Sequence, residues 1–289
     1  MFKGALWKKL FLIVVLGISL ILVFANFYLD FRKSDLEIIR YFEEANQTVV
    51  IYKKEFEGKQ MRFIASDSIN DVLPTVLFIH GSPGSSSDFY KYLKDRDLTT
   101  EANLLTVDRL GYGYSDFGNS TISLAKQAES IAYFLEKYSP SELIVVGHSY
   151  GGPIAVKLAG IFPVTSLMLL APAISPEDEK MFFVNSLVSN ELINWMLPKV
   201  FLVANDEKMT HAKELRMLLP DWSKINTQIF YYHGDDDFVV PFANLSFIQK
   251  QVDENLLDIN ALQGYGHFLP WENYSLVKGE LIEIIELLD

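Results

Sequence analysis

Ser149 lies in Gly147-His148-Ser149-Tyr150-Gly151, a G-x-S-x-G pattern. The pattern follows an apolar run and opens a helical segment, the setting in which a tight strand-to-helix turn holds a serine out as a nucleophile. The small flanking residues let such a turn close. The Tyr150 amide would then point into the same space from a helix start, where the helix dipole favours negative charge. The alternative is a plain glycine-rich turn. His80-Gly81-Ser82-Pro83-Gly84 follows a second apolar run, and the Ser82 amide could supply another donor to an oxyanion. That stretch also reads as an ordinary turn, with His80 bracing it. In Gly234-Asp235-Asp236-Asp237, three adjacent aspartates cannot all be buried and charged. Asp237 is the candidate to turn inward, with Asp235 a turn former. His267, between Gly266 and Phe268, has room to reach a neighbouring strand end. Ser149, Asp237 and His267 thus occur in the order nucleophile, acid, base. The chemistry open to them is two-step acyl transfer, with His267 taking the Ser149 proton and Asp237 fixing the imidazole.

These residues need a frame that brings remote segments to one edge. Val49–Tyr52 and Met61–Ile64 flank Glu57-Gly58-Lys59 and read as a hairpin. Short apolar runs at Thr75–Ile79, Asn103–Val107, Leu143–Val146 and Ser166–Leu170 suit strands buried on both faces. Helical segments at Ser123–Tyr138 and Pro153–Ile161 alternate with them. That rhythm predicts an α/β fold with a mostly parallel sheet flanked by helices. It breaks over about 174–225, which is helical without a clear core strand and reads as an insertion that covers one end of the sheet. Strand character returns at Gln228–Tyr232 and Leu257–Leu262, before a closing helix from about Tyr274 to Leu288.

In its motifs and their order the chain resembles the α/β-hydrolase superfamily from about Val49 to Leu288. The resemblance rests on the His80–Gly84 loop, Asp108-Arg109-Leu110-Gly111-Tyr112-Gly113-Tyr114-Ser115, the Ser149 turn, Gly234–Asp237 and Gly266-His267. It implies a core domain over 49–173 and 226–289, a helical cap insertion over 174–225, and Asp237 as the acid, three residues after Gly234. It also implies that the cap sets substrate choice. Met181, Phe182, Phe183, Leu187, Trp195, Met196, Leu197, Phe201 and Leu202 make that stretch apolar, as an acyl-binding wall or as packing onto the core. Relatives that open epoxides or displace halide carry Asp at the nucleophile position, so Ser149 points instead to a carboxylic ester hydrolase on small or medium substrates. An aminopeptidase or carbon–carbon bond hydrolase uses the same three groups, and a non-catalytic binding protein can share the fold. Gly111-Tyr112-Gly113 lacks the third glycine of a dinucleotide loop, since Asp116 stands there.

The net charge of −12 disfavours nucleic acid as a partner. With no cysteine, disulfides, zinc–thiolate sites and a thiol nucleophile are excluded. Nothing in the pattern calls for a metal or an organic cofactor. Lys3, Lys8 and Lys9 precede an uncharged run from Leu10 to Leu29. Twenty residues at about 1.5 Å each match a bilayer core of about 30 Å. Trp7, Phe27, Tyr28 and Phe31 sit at its ends, where interfacial aromatics belong. Residues 1–31 are therefore expected to be a transmembrane anchor with the catalytic domain outside the cytoplasm. The competing expectation is a signal peptide cleaved after Val23-Phe24-Ala25, leaving a secreted or periplasmic protein. Residues 32–48 read as polar and helical in character, a stalk leading to the domain.

Overall fold

The structure is a computed structural model that describes residues 2–70, 72–191 and 194–288. Within the first helix the side chains of residues 2–6, 22, 23, 25, 27 and 28 lie outside the described ones. The parts of the anchor and cleavage readings that rest on Lys3, Val23, Ala25, Phe27 and Tyr28 therefore lie outside them too.

Eight strands form one sheet: β1 (Val50–Phe56), β2 (Lys59–Ala65), β3 (Thr75–Ile79), β4 (Asn103–Asp108), β5 (Leu143–His148), β6 (Ser166–Leu170), β7 (Gln228–Gly234) and β8 (Leu257–Leu262). Their spatial order is β1-β2-β4-β3-β5-β6-β7-β8. The β1–β2 and β2–β4 pairs are antiparallel and all later pairs are parallel. The hairpin closes with Phe56 opposite Lys59. Its two turn residues, Glu57 and Gly58, both have positive φ (48° and 77°), as a two-residue turn matched to strand twist requires. Every residue of β3, β4, β5 and β6 is buried, which is why these runs read as continuously apolar rather than alternating.

The helices are α1 (Phe2–Tyr28), α2 (Asp35–Glu43), α3 (Tyr90–Leu93), α4 (Arg96–Glu101), α5 (Leu124–Tyr138), α6 (Gly151–Ala159), α7 (Phe183–Val188), α8 (Lys199–Trp222), α9 (Asn244–Gln251), α10 (Leu269–Glu272) and α11 (Tyr274–Glu286). One sheet face packs against Ile131 and Leu135 of α5, Ile154 of α6, Leu215 and Trp222 of α8 and Ile248 of α9. The other packs against Phe42 of α2, Tyr92 of α3, Leu98 of α4 and Leu281 of α11. The fold is thus the α/β architecture expected, with helices on both faces.

Two stretches differ from expectation. Residues 32–48 are not a free stalk. Ser34 and Glu37 form a reciprocal capping box at the start of α2, and Ile38 and Phe42 are fully buried against the sheet. The inserted stretch between β6 and β7 does not lie wholly over the sheet edge either. The last turns of α8 carry Leu215, Leu218 and Trp222 into the main core, while its first turns pack Val200 and Val203 against Tyr112.

Among the described residues no helix is long and apolar enough to cross a membrane. The stretch of α1 whose side chains are described without a break, residues 7–21, covers about 22 Å at 1.5 Å per residue. Of its apolar side chains, Leu10, Phe11, Ile13, Leu16 and Leu20 are more than half exposed.

Candidate active site

Strands β3, β5, β7 and β8 run in the same direction, so the loops that follow them gather at one edge of the sheet. Ligand sites of open α/β sheets form along that edge. Ser149 follows β5 with φ of 53°, a left-handed backbone that a non-glycine residue adopts only under local constraint. The constraint is the turn from β5 into α6. A Cβ on Gly147 would come within 2.7 Å of the Gly151 carbonyl oxygen, and one on Gly151 within 2.2 Å of the Ile79 oxygen. Both positions therefore exclude a side chain.

The three residues singled out in the sequence meet. His267 Nε2 is 3.1 Å from Ser149 Oγ, and His267 Nδ1 is 2.7 Å from Asp237 Oδ2. All three are buried, at 9% exposure or less. The Asp237 carboxylate also accepts hydrogen bonds from the Val239 and Val240 amides, both at 2.8 Å on Oδ1. His233 Nε2 stands 3.2 Å from Oδ2. Burial works to raise the Asp237 pKa, but the bonds from His233, His267 and the Val240 amide outweigh it and hold the carboxyl well below its usual range. Of the three adjacent aspartates Asp237 is the buried one, while Asp235 accepts from the Gly264 amide at 2.6 Å. An imidazole placed this way, with one nitrogen on a carboxylate and the other on a hydroxyl, can take the hydroxyl proton as the oxygen attacks.

Ser82 and Tyr150 border the same cavity as Ser149. Among the described residues neither amide has a hydrogen-bond acceptor, so both remain available to a ligand oxygen. The cavity measures about 420 Å³, within the usual range of small-molecule sites. Its wall is mainly apolar, built from Phe182, Val188, Leu197, Phe201, Ala204 and Val240. Of the apolar residues noted in the inserted stretch, Phe182, Leu197 and Phe201 line it. Met181, Phe183, Leu187 and Trp195 instead face solvent, and Met196 and Leu202 do not border the cavity. A polar corner completes the wall. Glu179 pairs with Lys208 and, at 3.1 Å, with His211 Nδ1, and the His211 ring stacks on Tyr150 with centroids 4.4 Å apart. Burial works to raise the Glu179 pKa, but His211 and Lys208 hold it below the usual value.

Further buried polar residues surround the site. His80 receives the Arg109 amide on Nε2 at 3.1 Å, which leaves Nδ1–H to face the Gly81 carbonyl at 2.8 Å. Burial and the nearby Arg109 charge push its pKa well below normal, so it is neutral. His148 sets Nε2 3.1 Å from the His267 carbonyl oxygen, and burial lowers its pKa to about 3. The Asp108–Ser115 stretch serves the scaffold: Asp108 is buried in a 2.7 Å pair with Arg62 and accepts the Ser86 and Tyr114 amides. His233 and Glu207 become visible only once chain segments far apart are brought together. Among the described residues no cluster of His, Asp and Glu has the arrangement of a metal site.

Residues 74–191 match the family model of the alpha/beta hydrolase fold. This match and the sheet order give the chain the α/β-hydrolase fold. A solved membrane phospholipase A, described as a bacterial virulence factor, superposes over 99% of both chains with a TM-score of 0.64 and 18% identity. Among curated relatives, the dihydrolipoyllysine-residue acetyltransferase component of an acetoin cleaving system from Cupriavidus necator is 30% identical over 148 residues, 50% of this chain and 39% of its own length. A multifunctional-autoprocessing repeats-in-toxin of Vibrio cholerae is 36% identical over 87 residues, 29% of this chain and 2% of its own length. The chain thus spans a minor part of these curated relatives.

Proposed function

We propose that this chain is a serine hydrolase that cleaves carboxylic esters of small or medium size through an acyl-enzyme. The observation that carries this reading is the continuous Asp237–His267–Ser149 contact, at 2.7 and 3.1 Å, beside two unpaired amides on an apolar cavity. His267 takes the Ser149 proton as Oγ attacks the ester carbonyl. The Ser82 and Tyr150 amides bind the developing oxyanion. His267 then returns the proton to the leaving alcohol, and water releases the acyl group by the same route. Asp237 keeps the imidazole in the tautomer with hydrogen on Nδ1 and stabilises the imidazolium. The apolar wall built by Leu197, Phe201 and Val188 suits an alkyl chain and favours an ester over a charged peptide N-terminus.

The membrane anchor, with the domain outside the cytoplasm, belongs to the same proposal. The uncharged run Leu10–Leu29 and the exposed apolar sides of α1 support it, because a helix apolar all round is not stable in water. The span shared with the membrane phospholipase A includes this segment.

The test is hydrolysis of p-nitrophenyl esters of graded chain length, with aminoacyl anilides alongside, by the wild-type chain and by S149A. The expected result is ester cleavage that falls by about 10⁴-fold or more in S149A. Equal rates in the two proteins would overturn the assignment. Preference for the anilides would move it to an aminopeptidase.

A further inference from the structure

A fully buried ion pair lies next to the relay but outside it. Arg109, just after β4, and Glu207, on α8, are both 0% exposed. Arg109 Nη1 donates to Glu207 Oε1 at 2.7 Å and Nη2 to Oε2 at 3.2 Å, a two-bond fork with fixed geometry. The remaining reach of the same guanidinium goes to the loop after β3. Nε donates to the His80 carbonyl at 3.0 Å and Nη2 to the Gly81 carbonyl at 2.8 Å. Glu207 also touches that loop by a second route. Its Oε2 accepts the Tyr112 hydroxyl at 2.6 Å. With the phenol proton so committed, the 2.9 Å contact between Ser82 Oγ and Tyr112 has Ser82 as donor. The connections form a ring: Ser82 to Tyr112, to Glu207, to Arg109, and back to the carbonyls of His80 and Gly81.

We propose that Glu207 is a positioning residue for the oxyanion site: through Arg109 and Tyr112 it fixes the loop that aims the Ser82 amide. This rests on the reading of Ser82 as an oxyanion donor. A donor of this kind must hold its place within fractions of an ångström to act on developing charge. Among the described residues the Ser82 amide has no hydrogen bond of its own, so its aim depends on what holds the two carbonyls before it and the hydroxyl beside it. Without the carboxylate, Arg109 becomes a buried charge without a partner. The guanidinium is then oriented only by the His80 and Gly81 carbonyls themselves, and the loop loses the fixed point against which those bonds hold it. Because Glu207 belongs to the inserted helix whose neighbouring turns line the cavity, the segment that contacts substrate also sets the geometry of the oxyanion donor.

The test compares wild type, E207Q and Y112F, with rates expressed per active site titrated by a fluorophosphonate. E207Q keeps the shape of the side chain and removes its charge. The expected result is a ~10–100-fold fall in kcat with KM within about twofold, smaller than the ~100–1,000-fold effect of deleting a donor outright. Affinity for a trifluoromethyl ketone, whose adduct with Ser149 carries an oxyanion, should weaken by the same factor as kcat/KM. A purely structural role would lower the titratable fraction or the Tm and leave kcat per site unchanged. Y112F keeps the ion pair and removes only the hydroxyl bridge, so it decides the matter if E207Q does not fold. Its expected loss is ~3–10-fold in kcat. Unchanged kcat per site in the folded variants overturns the proposal and leaves Ser149 as nucleophile. Failure of the fluorophosphonate to label wild type overturns the underlying reading itself.

Discussion

Asp237 and His148 are both buried and both have depressed pKa values, with opposite meanings for charge. The carboxyl stays ionised and the imidazole stays neutral. The consequence for stability has the same sign in each case. In the folded state each binds fewer protons than in the unfolded chain, so each stabilises at high pH and loses that contribution on acidification. For His148 the window runs from the unfolded value near 6.5 down to about 3, and buried His80 adds to it in the same direction. The loss from His148 alone should reach about 2 kcal/mol by pH 5, at 1.36 kcal/mol per pH unit. Calorimetry should therefore show Tm falling steadily between pH 7 and pH 5, and a flat Tm over that range would contradict the account. The same contrast explains which residues were legible in the sequence. Ser149 sits in a short pattern whose glycines, Gly147 and Gly151, the local turn forces, His267 follows Gly266, and Asp237 lies at a fixed offset from Gly234. His233 and Glu207 have no such local pattern. Each is defined by what it touches, and Glu207 lies 98 residues from Arg109.

Among the elements, the parallel strands were legible nearly to the residue. A strand buried on both faces has to be continuously apolar, and little else in a soluble domain is. The stretch 32–48 was legible as helical but not as docked, because an amphipathic helix of nine residues carries only two core positions. Ile38 and Phe42 are spaced one turn apart and are the only buried residues of α2. The Phe42 ring meets Tyr41 and Tyr90 edge-on, at 5.6 and 5.8 Å. F42A should therefore destabilise the protein by about 3–5 kcal/mol, as truncation of a buried ring does. Chemical denaturation would measure it, and a loss under about 1 kcal/mol would mean that α2 is not docked in solution. The inserted segment was legible as helical but not in its division of labour. Apolar content could not tell cavity wall from surface, and only Phe182, Leu197 and Phe201 of the noted set border the cavity.

For the molecule as a whole, the sheet order does the work that spacing in the sequence cannot. It brings the ends of β5, β7 and β8, spread over more than a hundred residues of chain, to one edge of the sheet, and the insertion closes a cavity over them. Function then rests on whether Ser149 is an activated nucleophile, and chemical labelling reads that property without knowledge of the natural substrate. The measurement is mass spectrometry of the folded protein after treatment with a fluorophosphonate. The account predicts one adduct, on the peptide bearing Ser149, that forms readily in wild type and at least about 100-fold more slowly in H267A. A folded wild-type protein that takes up no label, or takes it up elsewhere than Ser149, would contradict it.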